Sequence, residues 1–185
     1  MDDSIDLLMP RGSSEFVSYI QDNTSIPVLG HTEGVCHVFV DREADRSMAE
    51  EIAFDAKVQY PAVCNAVETL LVHADVAEAF LPGMVDRYRE ADVELRGGER
   101  VREVVDVDAA TDADWSTEYG DLTLAIKVVD SLPAAIDHVN AYGSKHTDSI
   151  VTEAAERAST LMRSIDSGSV FHNASTRFSD GYRYG

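Results

Sequence analysis

The chain is poor in positive charge. Three lysines, Lys57, Lys127 and Lys145, and 15 basic residues in all stand against 34 acids, for a net charge of −19. The acids are spread along all 185 residues, so the charge describes a surface and not a tail. Such a surface repels nucleic acid and anionic membranes, and neither is expected as a partner. Scarce lysine with abundant acid also matches the composition of salt-adapted proteins. On that reading the charge carries no functional message, and salt relieves a self-repulsion that otherwise weakens the fold. Cysteine is scarce too: Cys36 and Cys64 are the only two. A disulfide scaffold is excluded, and both thiols are expected to stay reduced. The six histidines, His31, His37, His73, His138, His146 and His172, form no i, i+4 pair and have no Cys-x-x-Cys companion. No metal site is expected. No apolar run approaches the length of a membrane span, and Met1-Asp2-Asp3-Ser4 lacks the basic region and apolar core of a signal peptide. A cytoplasmic location is expected. Internal repeats, low-complexity segments and a Gly-x-Gly-x-x-Gly fingerprint are also missing.

What is present is enough apolar residue, 44%, to bury a real core. Residues 5–9 form a short apolar run, followed by a turn and then Phe16, Val17 and Ile20 at helical spacing, which reads as strand, turn and helix. Residues 35–40 have strand composition. Residues 45–57 place Met48, Ile52, Ala53 and Ala56 on one helical face, with Asp45 as N-cap. A strand is expected at 68–73 and a helix at 76–90 with Phe80, Leu81, Met84 and Tyr88 inward. Short strands at 93–96 and 101–107 flank a turn at Gly97-Gly98. A strand at 122–129, a helix at 133–142, a strand at 149–152 and a helix at 153–165 follow. That last helix turns Ala155, Ala158, Leu161, Met162 and Ile165 inward, and a strand at 169–172 closes the series. The alternation predicts an α/β fold with a mainly parallel open sheet and flanking helices.

One stretch points to chemistry. In Gln59-Tyr60-Pro61-Ala62-Val63-Cys64-Asn65-Ala66-Val67 a cysteine sits between a proline-led loop and an apolar run. A thiol in a turn can present its sulfur to a cleft, with its own backbone N–H near an oxyanion; a thiol in a strand packs as a small hydrophobe. Cys64 is therefore a candidate nucleophile, with core packing as the alternative. Cys36 lies in an apolar strand and is expected in the core.

Three segments carry a family resemblance: 26–41, with Leu29-Gly30-His31-Thr32-Glu33-Gly34; 60–72, around Cys64; and 171–181, with Asn173-Ala174-Ser175-Thr176-Arg177-Phe178. In this order they resemble the γ-glutamyl phosphate reductases, and the reductase half of the bifunctional pyrroline-carboxylate synthases, within the aldehyde dehydrogenase superfamily. The resemblance implies that Cys64 attacks the acyl carbonyl of L-glutamyl 5-phosphate, a small-molecule substrate, and forms a thioester. NADPH then reduces it to L-glutamate 5-semialdehyde, a step of proline synthesis. The chemistry needs a thiolate, so something must lower the thiol from its usual value of about 8.5.

The superfamily's hydrolytic members carry a general-base glutamate at the place that alignment gives to Gly30. Its absence suits a reductase, because activated water would hydrolyse the thioester; nearby Glu33 is expected to be a solvent-facing turn residue. Gly12, Ser13 and Ser14 resemble the superfamily's glycine–serine turn near the nicotinamide and are candidate cofactor contacts, with helix capping as the alternative. Asn173, Ser175, Thr176 and Arg177 are candidate substrate contacts. Arg177 suits a phosphate or α-carboxylate, with a surface ion pair as the alternative. The resemblance divides the chain into 1–29, the end of a dinucleotide-binding domain, and 30–185, a catalytic domain expected to be cut short at its C-terminus. It also implies a homo-oligomer for the full-length protein. The alternative from a different class is a non-catalytic fragment or subunit that serves as an interaction module for a full-length homologue.

Overall fold

The computed structural model describes residues 4–10, 12, 14–30 and 33–179. It divides into two compact units, Met1–Glu33 and Gly34–Gly185. In the first, the expected strand at 5–9 contracts to a single parallel bridge between Leu8 and Val28. Helix α1 (Ser14–Asp22) buries Val17 and leaves Phe16 and Tyr19 exposed.

The second unit is a sheet of seven strands: β1 (Cys36–Val40), β2 (Val67–His73), β3 (Glu94–Gly97), β4 (Asp108–Ala109), β5 (Thr123–Val129), β6 (Thr147–Val151) and β7 (Ser169–His172). They lie in the order β4-β3-β5-β2-β1-β6-β7, and every pair is parallel. The predicted α/β class holds. Parallel neighbours need crossover connections, and helices supply them and cover both faces. Helices α2 (Arg46–Val58) and α3 (Ala74–Glu90) pack on Val38, Val40, Leu70, Val72, Leu124 and Ile126. Helices α5 (Leu132–Tyr142) and α6 (Ala155–Ser164) pack on Phe39, Leu71 and Ile150 of the other face. The alternation of Val38, Phe39 and Val40 between the two cores is the period of two of a strand.

Local signals explain the element ends. Asp45 caps α2 by accepting the Met48 N–H at 2.8 Å, a contact worth about 1 kcal/mol. In α3 the expected inward residues Phe80, Leu81, Met84 and Tyr88 are all buried, and the Tyr88 phenol donates to the Ala53 carbonyl at 2.7 Å, tying α3 to α2.

Other expectations fail as well. The strand expected at 101–107 is replaced by a one-turn helix α4 (Glu99–Arg102), with β4 only after it. Because β3 and β4 are parallel, the chain between them must cross over and cannot turn back as a hairpin. Val101, Val104, Val105 and Val107 pack along that crossover. Ala155 and Met162, both expected inward, are exposed, Met162 at 42%; Ala155 is the first residue of α6, and Met162 stands about 100° around the helix from buried Leu161. Among the described residues no helix is long and apolar enough to cross a membrane.

Candidate active site

Cys64 occupies the turn between α2 and β2, half-buried and outside any disulfide. Its backbone is held from behind. The Cys36 thiol, buried in β1, donates to the Cys64 carbonyl at 3.2 Å and lies 3.8 Å from His146 Nδ1. Burial, with the Asp148 charge adding to it, pushes the Cys36 thiol well above its ordinary value, so it stays protonated as a donor. Gly34 lies against the same turn so closely that a Cβ there would stand 2.7 Å from Cys64 Cα and overlap the Cys64 carbonyl oxygen. Only glycine fits.

The two ends of the cysteine loop are joined by a buried ion pair. Lys57, in the last turn of α2, donates to Glu68 of β2 at 2.6 Å, with both side chains out of solvent. Glu68 also accepts the Gly120 N–H at 3.1 Å. Burial raises the Glu68 carboxyl and lowers the Lys57 ammonium, and their mutual attraction opposes both shifts.

The opposite wall is the segment that follows β7. It turns back across the sheet, from Asn173 beside Thr152 to Ser179, where Asn65 Nδ2 donates to the Ser179 carbonyl at 2.6 Å. Asn173 has φ +52°, in the left-handed region that asparagine tolerates. Its amide clasps Thr152, accepting the N–H at 2.9 Å and donating to the C=O at 3.1 Å. The Thr152 hydroxyl donates to Asp41 at 2.8 Å, and Asp41 also receives the Arg157 guanidinium, with Nε at 2.6 Å. Burial opposes the Asp41 charge, but hydrogen bonds from Arg157 and Thr152 outweigh it and hold the carboxyl below its usual range.

Between these walls lies a cleft of about 810 Å³. Cys64, Asn173, Ser175 and Arg177 all line it. Thr176 does not; it is fully buried, its hydroxyl without a partner among the described residues. Ser175 accepts the Arg177 N–H and caps a short turn at Thr176–Phe178. Arg177 Nε donates to Gln59 Oε1 at 3.1 Å, so among the described residues it makes no surface ion pair. The cofactor candidates belong to the first unit. Gly12 has φ +146°, a conformation that favours glycine, α1 begins at Ser14, and Ser13 lies outside the described residues. A Cβ on Gly30 would come within 3.0 Å of Val17 and 3.2 Å of Pro10, so a glutamate there would need its neighbours to move. Glu33 is exposed.

Sequence reasoning missed Gly34, the Lys57–Glu68 pair, and Gln59, Asp55 and Asn65 in the cleft wall. The one available signal was glycine immediately before an apolar strand.

No family model matches the chain. It is 75% identical over 187 residues to the γ-glutamyl phosphate reductase of Natronomonas pharaonis, covering 100% of this chain and 43% of that protein. Identity to the γ-glutamyl phosphate reductase of Haloquadratum walsbyi is 65% over 193 residues, covering 100% and 42%. The chain thus spans under half the length of these relatives. The crystal structure of γ-glutamyl phosphate reductase from Thermotoga maritima superimposes with a TM-score of 0.97 at 45% identity, over 100% of this chain and 45% of that one. At fold level, betaine aldehyde dehydrogenase from Staphylococcus aureus in complex with NAD+ matches with a TM-score of 0.74 at 13% identity, over 92% of this chain and 44% of that one. Along its whole length the chain aligns with one stretch of the γ-glutamyl phosphate reductase family and has the aldehyde dehydrogenase fold.

Proposed function

We propose that this chain carries the nucleophile-bearing part of a γ-glutamyl phosphate reductase, whose whole form reduces L-glutamyl 5-phosphate to L-glutamate 5-semialdehyde in proline synthesis. The observation that carries this reading is Cys64, on a turn backed by Gly34 and Cys36, opening onto the same cleft as Arg177. The Cys64 thiolate attacks the acyl carbon. A C–S bond forms, the C–O bond to phosphate breaks, and phosphate leaves with the bonding pair, giving a thioester. Acyl phosphate is a good leaving group, so its departure needs little help from an acid.

The first unit offers a modest fit to a nicotinamide dinucleotide. Gly12 has no side chain to block approach; Glu15 in the first turn of α1 works against a phosphate. When bound, the dinucleotide, NADPH by the resemblance, supplies the hydride that reduces the thioester. The thiohemiacetal on Cys64 then breaks its C–S bond and releases aldehyde and thiol. The resemblance sets Gly30 where the hydrolytic members carry a base, which suits a thioester that must last until reduction. Both cysteines outside disulfides suit a reducing cytoplasm.

The test is acyl transfer. The chain is mixed with freshly generated γ-glutamyl phosphate, quenched in acid and mapped by mass. A γ-glutamyl adduct on Cys64, absent in Cys64→Ser, is expected; an adduct that persists in Cys64→Ser sinks the assignment. A second reading, an interaction module, is favoured by Leu7, Met9, Phe16, Tyr19 and Leu29, all exposed on the first unit. A folded chain with no acylation at all selects it.

A further inference from the structure

Helix α2 and its C-cap present Glu51, Asp55 and Gln59, four residues apart, to the cleft that Cys64 lines. Glu51 is engaged by Arg87 at 2.7 Å. Asp55 has no cationic partner among the described residues, and neither does Arg177 an anionic one. A single amide joins them: Gln59 Oε1 accepts from Arg177 Nε at 3.1 Å, and Gln59 Nε2 donates to Asp55 Oδ1 at 3.3 Å. That bond pattern fixes which way the amide faces. It engages one edge of the guanidinium and, among the described residues, leaves the two Nη groups to grip an anion in two-point fashion. Asn65, buried beside Cys64 in the lining of the same cleft, keeps its Oδ1 without a partner among the described residues. Around Asp55 and Asn65 the cleft therefore offers acceptor oxygens short of donors, a balance that a ligand carrying an ammonium group would correct.

We propose that Asp55, Gln59 and Arg177 form the subsite for the α-amino-acid head of the substrate. Arg177 takes the α-carboxylate, Asp55 takes the α-ammonium, and Gln59 sets the spacing between them. A zwitterionic head carries both charges on one carbon, so its recognition needs a cation and an anion a few ångströms apart; these two lie across one amide. Asp55 also discriminates: a dicarboxylic acyl group without the ammonium leaves that carboxylate unpaired and near a second negative charge. The inference rests on the reading of Cys64 as the nucleophile.

The test measures how L-glutamate and glutarate, its analogue without the amino group, protect Cys64 from iodoacetamide. In the native chain L-glutamate is expected to protect at a concentration lower than glutarate by about tenfold. Asp55→Asn raises the half-protecting concentration of L-glutamate by about tenfold and leaves that of glutarate within about twofold. The charge-conserving Asp55→Glu keeps part of the preference. Arg177→Gln weakens both ligands. Equal losses for both ligands in Asp55→Asn, or no preference in the native chain, overturn the inference. Acylation of Cys64 by γ-glutamyl phosphate, measured on the same samples, separates the two levels. If acylation persists without discrimination, the subsite fails alone; if acylation is absent, the nucleophile reading fails and the subsite with it.

Discussion

The two walls of the cleft are built by different physics. The Cys64 wall is fixed by close packing and burial: a glycine that admits no side chain, a thiol locked in a strand, and an ion pair out of solvent. The Arg177 wall hangs on side-chain hydrogen bonds, some at the edge of water, from Gln59, Asp55 and Asn173. A nucleophile must meet its electrophile within a few tenths of an ångström, and packing delivers that placement. A group that binds a flexible charged head tolerates adjustment. Substitutions on the first wall should therefore act through the fold, and those at the rim of the second through ligand affinity.

The largest expected effect comes from Lys57→Met. It leaves the Glu68 carboxyl buried without its cation, either charged in the core or forced to take up a proton, and should cost about 3–5 kcal/mol of unfolding free energy. The double variant Lys57→Met with Glu68→Leu should recover most of that loss. Denaturant titration of the single and double variants checks this, and a single variant within about 1 kcal/mol of native would remove the ion pair from the account. Next comes Gly34→Ala, expected to cost about 2–3 kcal/mol by overpacking against the Cys64 backbone. Its cysteine loop should also label differently in the folded state; an unchanged stability and labelling rate would mean that the turn yields freely.

Behind the Arg177 wall, Asp41→Asn should cost about 2 kcal/mol at neutral pH by weakening charge-assisted hydrogen bonds to Arg157 and Thr152. The sign with pH follows from the lowered carboxyl. Its contribution is complete above the unfolded value of about 4 and is lost as pH falls through the lower folded value. The native chain should therefore lose stability on acidification below about pH 4 more steeply than Asp41→Asn does. Parallel slopes in denaturant titrations at stepped pH would contradict it. The smallest and most diffuse effect is salt: with a net charge of −19, molar salt should raise the unfolding midpoint. A midpoint flat from low to high salt would show that self-repulsion is unimportant here.

The fold was legible because its signals are local. Asp45 caps a helix through a contact three residues away, and β1 and β2 announce themselves as apolar runs because both faces are covered. The segment 101–107 misled because its valines suit a strand as well as a crossover, and only the parallel pairing of β3 with β4 decides between them. In the site, Cys64 and Arg177 could be singled out by residue type and resemblance, and they meet in one cleft. What lies around them could not. Gly34 matters because a turn 30 residues later presses on it, and Gln59 because Arg177 comes back to it across the sheet. Those are facts of tertiary approach, with no period or motif to mark them. The Lys57–Glu68 pair is similar: each residue looks like ordinary surface charge until the core closes over both.

The most direct measurement is differential alkylation of the two thiols in the folded chain, mapped by mass against time. Labelling of Cys64 under native conditions, with Cys36 modified only after unfolding, is the result expected of a nucleophile that faces the cleft and a donor locked behind it. Equal labelling of both, or faster labelling of Cys36, would contradict the account.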